Sequence, residues 1–407
     1  MESINSGDTT WVLVASALVL LMTPALAFFY GGMVRKKNIL STLNLSFVVI
    51  ALLSIQWILF GYTLAFGKDH AGLIGGLQYL GLKGVGSAPN AQYAPTIPHL
   101  AFVLFQMMFA IITPALITGA FVERVRFKTF LIFALVWATL IYDPVAHWVW
   151  GTGGIFHKLG SLDFAGGTVV HITAGYSALA FAIVIGARKG FGSRTFEPHN
   201  IPYSVLGAGL LWVGWFGFNG GSALAANGTA VNAILTTNTA AAASGLVWML
   251  LSWNDNKPSV LGIITGAVVG LVAITPAAGF VTPLSALAIG AIAAPISYFA
   301  IKFRQRRNLD ESLDVWACHG IGGTWGALAT GLFASKAVNP AGANGLFYGN
   351  PDQFLVQLLT VVVTIAFAFG MTFLITKLLS RWMGLRVSEN EEEVGLDISE
   401  HGEQAYA

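Results

Sequence analysis

Long apolar stretches recur along almost the whole chain of 407 residues, and they limit the folds open to it. About 20 apolar residues cross a bilayer as a helix, whereas a barrel strand needs only about 9–11. Only 10% of the residues are charged, against about 25% in soluble globular proteins. The sequence therefore predicts an all-α polytopic membrane protein with eleven transmembrane helices, near 11–34, 39–66, 99–122, 127–148, 164–187, 201–224, 229–252, 259–276, 282–302, 314–335 and 354–379.

The basic residues predict how these helices are oriented. Seventeen of the 21 Lys and Arg residues fall in one alternate set of connections, and four fall in the other. Connections rich in Lys and Arg stay in the cytoplasm. We therefore predict that the N-terminus lies outside the cell and the C-terminus lies in the cytoplasm.

Charge and cysteine content argue against several function classes. A net charge of +2 gives no strongly basic surface, so no nucleic-acid partner is expected. The single cysteine, Cys318, excludes an internal disulfide and a multi-cysteine metal site. No nucleophile–base constellation or cofactor motif is apparent, so we expect neither an enzyme nor a bound cofactor or metal.

Two of the predicted helices share a motif. The fifth reads HITAGYSAL from His171 and the tenth reads HGIGGTWGAL from His319, with a glycine four residues after each histidine. These helices close two units of five spans, near 11–187 and 201–335. Because five is odd, the second unit enters the membrane inverted, as in transporters whose pathway lies at the interface of the repeats.

The repeat predicts that the two histidines approach each other near the midplane. They can be core histidines satisfied by backbone groups, although ionisable side chains inside a membrane usually line functional paths. A metal pair is another interpretation, but the neighbouring Cys318 points to a different helix face. A hydrogen-bonded imidazole pair resists double protonation and suits a neutral or proton-exchanging solute.

Acidic and aromatic residues mark the approach to these helices. Asp163 precedes His171 by eight residues and Asp314 precedes His319 by five. Asp163 can cap its helix, help to bind a cation, or do both. Three aromatic residues stand near the predicted outer side, where a ring face holds a cation with about 0.5–2 kcal/mol; they are Phe109, Trp150 and Phe218.

Two long polar segments lie outside the predicted helices, an outer loop at 67–98 and a tail at 380–407. Seven acidic residues fall within 389–403, a composition typical of a disordered, solvated segment. We predict a single membrane domain over 1–380, whose last span is 354–379, followed by a cytoplasmic tail over 381–407.

Several motifs carry a resemblance to a known family. They are DFAGGTVVHITAGYSAL at 163–179, WFGFNGGSA at 215–223, DVWACHG at 314–320, FFYGGMVRKKN at 28–38 and GLDISEHGEQAY at 395–406. With the eleven spans, they make the chain similar to the ammonium transporter family (Amt/Mep/Rh), in its prokaryotic Amt form. The resemblance implies an ammonium or ammonia substrate, a homotrimer in the lipid bilayer of the plasma membrane, and a PII-type regulatory protein as a possible cytoplasmic partner.

The resemblance also implies roles for individual residues. It assigns ammonium recruitment to Phe109, Trp150 and Ser222, with Asp163 behind them as a structural and electrostatic carboxylate. It assigns a phenyl gate to Phe109 and Phe218, and the paired pore histidines to His171 and His319. Apolar positions of the pore match Leu26, Phe29, Tyr30, Leu211 and Val315. It also overrides the prediction of disorder for 395–406.

The functional hypothesis is an ammonium transporter that deprotonates its substrate and conducts ammonia plus a proton. The alternatives are an ammonium sensor that signals through its tail with little transport, and a gas or water channel. Asp143 departs from the expected small or apolar residue, and we predict that it places an anion near the outer end of the fourth span. We expect the tail to dock on the basic connections and to bury Leu396 and Ile398; the connections are 124–128, 188–194 and 302–307.

Overall fold

The structure is a computed structural model that describes residues 4–255 and 257–406. This part of the chain is dominated by long helices, as predicted. In chain order they are α1 (Ser6–Met33), α2 (Ile39–Gln56, Trp57–Gly61 and Tyr62–Phe66), α3 (His99–Thr118), α4 (Phe127–Trp137, Ala138–Tyr142 and Asp143–Trp150), α5 (Gly167–Ile172 and Thr173–Ile185), α6 (Ile201–Gly221), α7 (Gly228–Asp255), α8 (Val260–Ile274), α9 (Pro283–Arg306), α10 (Trp316–Ile321 and Gly322–Phe333) and α11 (Pro351–Trp382).

Nine helices of the described residues are long and apolar enough to cross a membrane. The two remaining predicted spans coincide with α8 and α10, which do not meet that criterion. Helix α8 is apolar but has only 15 residues, and those from Gly266 to Ile274 are all buried. Because it is covered by protein over that length, α8 has little lipid to face. A polytopic helical membrane protein is therefore confirmed, and the count of eleven stays a prediction.

The polar segment at 67–98, predicted as an outer loop, contains four short strands within the otherwise helical fold. Strand β1 (Asp69–His70) pairs with β2 (Ile74–Gly75), and β3 (Pro89–Asn90) pairs with β4 (Ala94–Pro98), both antiparallel. A side-chain hydrogen bond ties this segment to α4. Asp69 Oδ1 lies 3.0 Å from His147 Nε2. These local turns carry no long apolar run, and for that reason the hydropathy pattern did not reveal them.

Four of the long helices contain a π-helical turn in the part of the chain that the structure describes. The turns are Trp57–Gly61, Ala138–Tyr142, Gly167–Ile172 and Trp316–Ile321. A π turn inserts an extra residue into a helix and is frequent at functional sites. The turn in α5 contains His171 and the turn in α10 contains His319, so the shared motif has the same local structure in both helices.

Small residues let the helices pack closely. Gly207 of α6 lies against α1, and a Cβ there would fall 2.3 Å from the backbone nitrogen of Phe29. Only a glycine permits this approach, and such contacts replace hydrophobic burial as the packing force between helices in lipid. Helices α1 and α6 are the first helices of the two predicted repeats.

The acidic part of the tail is folded, so the composition-based prediction of disorder was wrong there. Helix α12 (Glu389–Val394) begins at a capping box formed by Ser388 and Glu391. Glu392 is only 1% exposed, and its buried carboxylate has two partners. It accepts a hydrogen bond from the Lys189 backbone N–H at 2.6 Å and pairs with Arg386 at 2.6 Å. The side chains of Lys189 and Arg194, far away in sequence, pair with Glu389 and Glu393 and compensate the acidic run.

The second tail helix, α13 (Leu396–His401), lies against the ends of α2 and α4. The N–H of Leu396 donates to Asn38 Oδ1 at 2.8 Å, and Glu400 accepts a bond from the Phe127 N–H at 2.9 Å. Leu396 is fully buried, as predicted, but Ile398 is 45% exposed, so its predicted burial was wrong. Within the described residues, the tail's hydrogen bonds reach 124–128 and 188–194 but not 302–307.

Candidate functional site

A cavity of about 280 Å³ lies at the Trp150 end of α4, and all four predicted recruitment residues line it. It is called the outer cavity because the distribution of Lys and Arg predicts that this end faces out of the cell. Phe109 of α3 and Trp150 of α4 present their rings at right angles, with centroids 5.9 Å apart. Ser222, directly after α6, faces them across the same cavity. The arrangement offers a cation two aromatic surfaces and one hydroxyl oxygen.

The hydrogen bonds around this cavity fix which groups remain free. The Ser222 hydroxyl donates to the Phe218 carbonyl at 2.9 Å, so its own proton is used and its oxygen keeps lone pairs for a further donor. The Trp150 indole N–H donates to the Asp163 carbonyl at 2.9 Å, which fixes the ring in place. A solute that donates hydrogen bonds therefore finds an acceptor at Ser222.

Asp163 caps α5. Its Oδ1 accepts from the N–H groups of Gly166 at 2.9 Å and Gly167 at 2.6 Å, and its Oδ2 accepts from those of Thr168 at 2.8 Å and Val169 at 3.1 Å. Four backbone bonds satisfy both oxygens of a carboxylate and stabilise the first turn of the helix. Of the two interpretations of this residue, capping is the one seen in the geometry, although Asp163 also lines the outer cavity.

The rings of Phe109 and Phe218 close the floor of the outer cavity. Their centroids lie 4.3 Å apart with an interplanar angle of 36°. Phe109 lines the outer cavity, and Phe218 lines a second, much smaller space beneath it. The two rings therefore stand in contact between the two cavities, which is the position that the predicted gate requires.

The two histidines meet directly below. Nδ1 of His171 and Nδ1 of His319 lie 3.2 Å apart, and both residues are almost fully buried. Because each neutral imidazole carries one N–H, one ring donates and the other accepts. The Nε2 atom of His171 has no hydrogen-bond partner among the described residues, and the ring lines the small space beneath the gate.

The matching glycines explain how the two histidines approach so closely. A Cβ on Gly175 of α5 would fall 2.0 Å from the backbone nitrogen of Gly320 of α10. A Cβ on Gly323 would fall 3.0 Å from the Cβ of His171. The glycines four residues after each histidine, noted in the sequence, therefore let α5 and α10 cross at the histidine pair.

The space beneath the gate measures about 10 Å³, and a wider cavity of about 180 Å³ follows on the other side of His319. A void of 10–15 Å³ accommodates about one water-sized molecule. All five predicted pore-lining residues line one or both of these cavities: Leu26 and Leu211 the narrow one, Phe29 both, Tyr30 and Val315 the wider one. The narrow space therefore lies between two wider cavities, with the phenyl rings on one side of it and His319 on the other.

The sequence analysis missed the second capping residue. Glu311, not Asp314, caps α10, because its Oε1 accepts from the Val315 N–H at 2.5 Å and its Oε2 from the Trp316 N–H at 3.2 Å. Asp314 instead pairs with Arg304 at 2.7 Å. Glu311 precedes His319 by eight residues, the same spacing as Asp163 to His171, and that equality was the available signal. Burial raises the pKa of the Glu311 carboxyl to about 7.

A buried cluster of charges holds the ends of the helices together near the wider cavity. Glu123 accepts from Arg188 at 2.7 Å and from Arg35 at 2.8 Å, and Arg188 also pairs with Asp310 at 2.8 Å. Burial alone would raise the pKa of the Glu123 carboxyl, but Arg188 and Arg35 hold it below its usual value. The two arginines therefore favour the ionised form of this carboxylate, and the ion pairs join the connections that follow α1, α3, α5 and α9.

Asp143 lies in the final third of α4, toward the end that carries Trp150. It begins the last segment of α4, seven residues before Trp150, which places it about 10 Å further into the helix. It is fully buried and does not line any of the three cavities described above. Its carboxyl contacts Gln56 of α2 instead.

Two cavities with a narrow, largely apolar space between them, within a bundle of membrane-length helices, define a multi-pass membrane protein that moves a small solute across the bilayer. The model of the Ammonium Transporter Family matches residues 10–406. The chain belongs to this family.

Individual relatives agree over nearly the full length. The chain is 52% identical to a Bacillus subtilis protein named ammonium transporter, over 98% of each chain. It is similar to the crystal structure of Candida albicans Mep2, with a TM-score of 0.90 and 36% identity over 99% of this chain and 91% of that one. It is also similar to a solved structure titled sensor Amt protein, with a TM-score of 0.89 and 32% identity over 97% and 98% of the two chains.

Proposed function

We propose that this protein transports ammonium through the passage between the two cavities, in the plasma membrane. The cation binds in the outer cavity, gives up a proton at the phenyl gate, and ammonia plus the proton pass the histidine pair. The observation that carries the proposal is the water-sized space between the gate and the directly bonded histidines. It has room for one ammonia molecule and none for a hydrated cation.

The selectivity of recruitment depends on hydrogen-bond donors, which ammonium has and alkali cations lack. Ammonium donates hydrogen bonds, and the Ser222 oxygen is free to accept one. Sodium and potassium gain the cation–π attraction of Phe109 and Trp150 but cannot donate to Ser222. The outer site therefore selects ammonium over potassium, although the two ions have similar radii.

Deprotonation follows from the change of environment at the gate. A bare cation inside a low-dielectric passage is penalised by several kcal/mol, whereas neutral ammonia is not. Desolvation therefore lowers the pKa of ammonium as it moves from the outer cavity toward the histidines. Because one proton is shared between the two Nδ1 atoms, the pair offers a route for the released proton across the narrow space.

The finer architecture belongs to the same proposal. We infer eleven transmembrane helices arranged as inverted repeats, about 11–187 and 201–335, with α11 as the last span and the tail in the cytoplasm. The close packing of α1 on α6, the equal π turns at the histidines and the equal acidic caps of α5 and α10 support this symmetry. The distribution of Lys and Arg supports the orientation.

The homotrimer and a PII-type partner are proposals that rest on the resemblance to the family. The docked tail gives such a partner a folded cytoplasmic surface, formed by α12, α13 and the connections at 124–128 and 188–194. A partner bound to that surface would lie on the same face of the molecule as the wider cavity, which Ser312 and Asp314 line.

An ammonium sensor is the second candidate, favoured by the similarity to the solved sensor Amt protein and by the folded tail. Reconstitution of the protein in a solid-supported membrane separates the two functions. A transporter gives a sustained, saturable current on addition of ammonium and none with potassium. Binding of ammonium without current would support the sensor, and ammonia flux without charge movement would support a neutral gas channel.

A further inference from the structure

Asp143 is a buried carboxyl for which the proposed transport mechanism has no use. It lies in α4 beside the π turn Ala138–Tyr142 and is fully buried. Its Oδ2 accepts a hydrogen bond from Gln56 Nε2 of α2 at 2.7 Å. Gln56 is 2% exposed and directly precedes the π turn Trp57–Gly61, so the contact joins two helices at their irregular turns.

This contact leaves two acceptors without donors. Neither Oδ1 of Asp143 nor Oε1 of Gln56 has a hydrogen-bond partner in the part of the chain that the structure describes. The neighbouring Thr139 hydroxyl does not serve them, because it donates to the Leu135 carbonyl at 2.8 Å. No Lys or Arg of the described residues pairs with Asp143. An ionised carboxylate with one hydrogen bond and no counter-ion is among the most costly groups to bury.

A single proton on Asp143 supplies the missing hydrogen-bond donor and neutralises the buried carboxylate. A protonated Asp143 carries one O–H donor, and the carboxamide of Gln56 presents both a donor and an acceptor. A proton on Oδ1 gives the acid a donor for Gln56 Oε1, while Gln56 Nε2 already donates to Oδ2. Each group then satisfies the other, and no charge remains in the interior.

We propose that Asp143 and Gln56 form a proton-binding site outside the transport passage, in which a neutral carboxylic acid and a carboxamide hold α4 against α2. The site takes one proton and keeps it. Asp143 therefore adds no negative charge beside the passage, and an acid is tolerated at a place where a small or apolar residue was expected. The site also positions α4, whose last residue, Trp150, lines the outer cavity.

The experiment compares two substitutions of Asp143 in the purified, reconstituted protein. Asp143→Asn keeps a neutral group that both donates to and accepts from Gln56, whereas Asp143→Ala leaves the carboxamide unpaired. We expect Asp143→Asn to retain the wild-type midpoint of thermal unfolding and the wild-type ammonium current. We expect Asp143→Ala to lower the unfolding midpoint. Gln56→Leu, which removes the amide and keeps the side-chain size, should lower it as well.

Infrared spectroscopy reads the proton directly. At a pH well above 7, where Glu311 is ionised, the wild-type protein should show the carbonyl stretch of a protonated carboxyl group, and this band should be absent from Asp143→Asn. Persistence of an identical band in the variant, or its absence from both proteins, would overturn the proposal. So would an Asp143→Asn protein that fails to fold or is as unstable as Asp143→Ala. A wild-type unfolding midpoint that rises with sodium or potassium, and does so only when Asp143 is present, would assign the site to a bound cation instead.

Discussion

Replacing Ser222 with alanine should weaken ammonium recruitment without closing the passage. The Ser222 hydroxyl donates its proton to the Phe218 carbonyl, and its oxygen remains free to accept a hydrogen bond from the cation. The substitution removes this one acceptor. A hydrogen bond to a charged group contributes about 1.5–3 kcal/mol when buried, and about 1 kcal/mol is reasonable for the open outer cavity. One kcal/mol corresponds to about a fivefold change in affinity. The rings of Phe109 and Trp150 remain to hold the cation.

The assay is the ammonium-evoked current as a function of concentration in a solid-supported membrane. Ser222→Ala should raise the half-saturating concentration about fivefold, while the maximal current stays close to that of the wild type. Ser222→Thr keeps the hydroxyl oxygen and should stay near the wild type. Ser161→Ala is a matched control, because it removes a hydroxyl that lines the same cavity but does not belong to the predicted recruitment site. An unchanged half-saturating concentration in Ser222→Ala, or an equal rise in Ser161→Ala, would refute the reasoning.

Three further predictions test other parts of the account. Trp150→Leu removes a cation–π contact and should raise the half-saturating ammonium concentration by a few-fold to roughly tenfold; an unchanged concentration dependence would exclude the ring from recruitment. Truncation after Val387 should reduce transport or uncouple it from a PII-type partner, while the unfolding midpoint of the membrane core is kept; unaltered transport and regulation would show the tail to be passive. Glu311 binds its proton more tightly in the folded protein, with a pKa of about 7 against 4.5 for a free carboxyl, so its contribution to stability is lost as pH rises between these values. Glu311→Gln should therefore flatten the fall of the thermal midpoint over that window, and an unchanged slope would contradict the assignment.

The helices and the histidine pair could be predicted because their signals are local and repeated. Apolar runs of membrane length mark most spans, and the motif shared by the fifth and tenth spans places His171 and His319 at equivalent positions. The glycines four residues after each histidine turned out to be the crossing point of α5 and α10. Patterns of this kind survive in a sequence because the same physical requirement recurs in both halves of the fold.

Other features depend on contacts between residues far apart in sequence. Asp143 meets Gln56 across 87 positions, and the Glu393 carboxylate meets the Arg194 guanidinium across 199. Composition treats each segment as if it were alone, so it predicted a solvated acidic tail where distant basic groups permit a folded one. The role of Glu311 was missed for a different reason, since a polar residue in a connection reveals its function only when the helix that it caps is known.

The central claim is that ammonia and its proton pass through the histidine pair, and His171→Asp with His171→Ala tests it most directly. The measurement is the current evoked by ammonium and by potassium in a solid-supported membrane, with the assembly state of each variant checked by size-exclusion chromatography. The account predicts that the variants assemble as the wild type does but lose the ammonium current or lose its selectivity over potassium. A variant that carries the full ammonium current and still rejects potassium would show that the histidine pair is not the path of the proton.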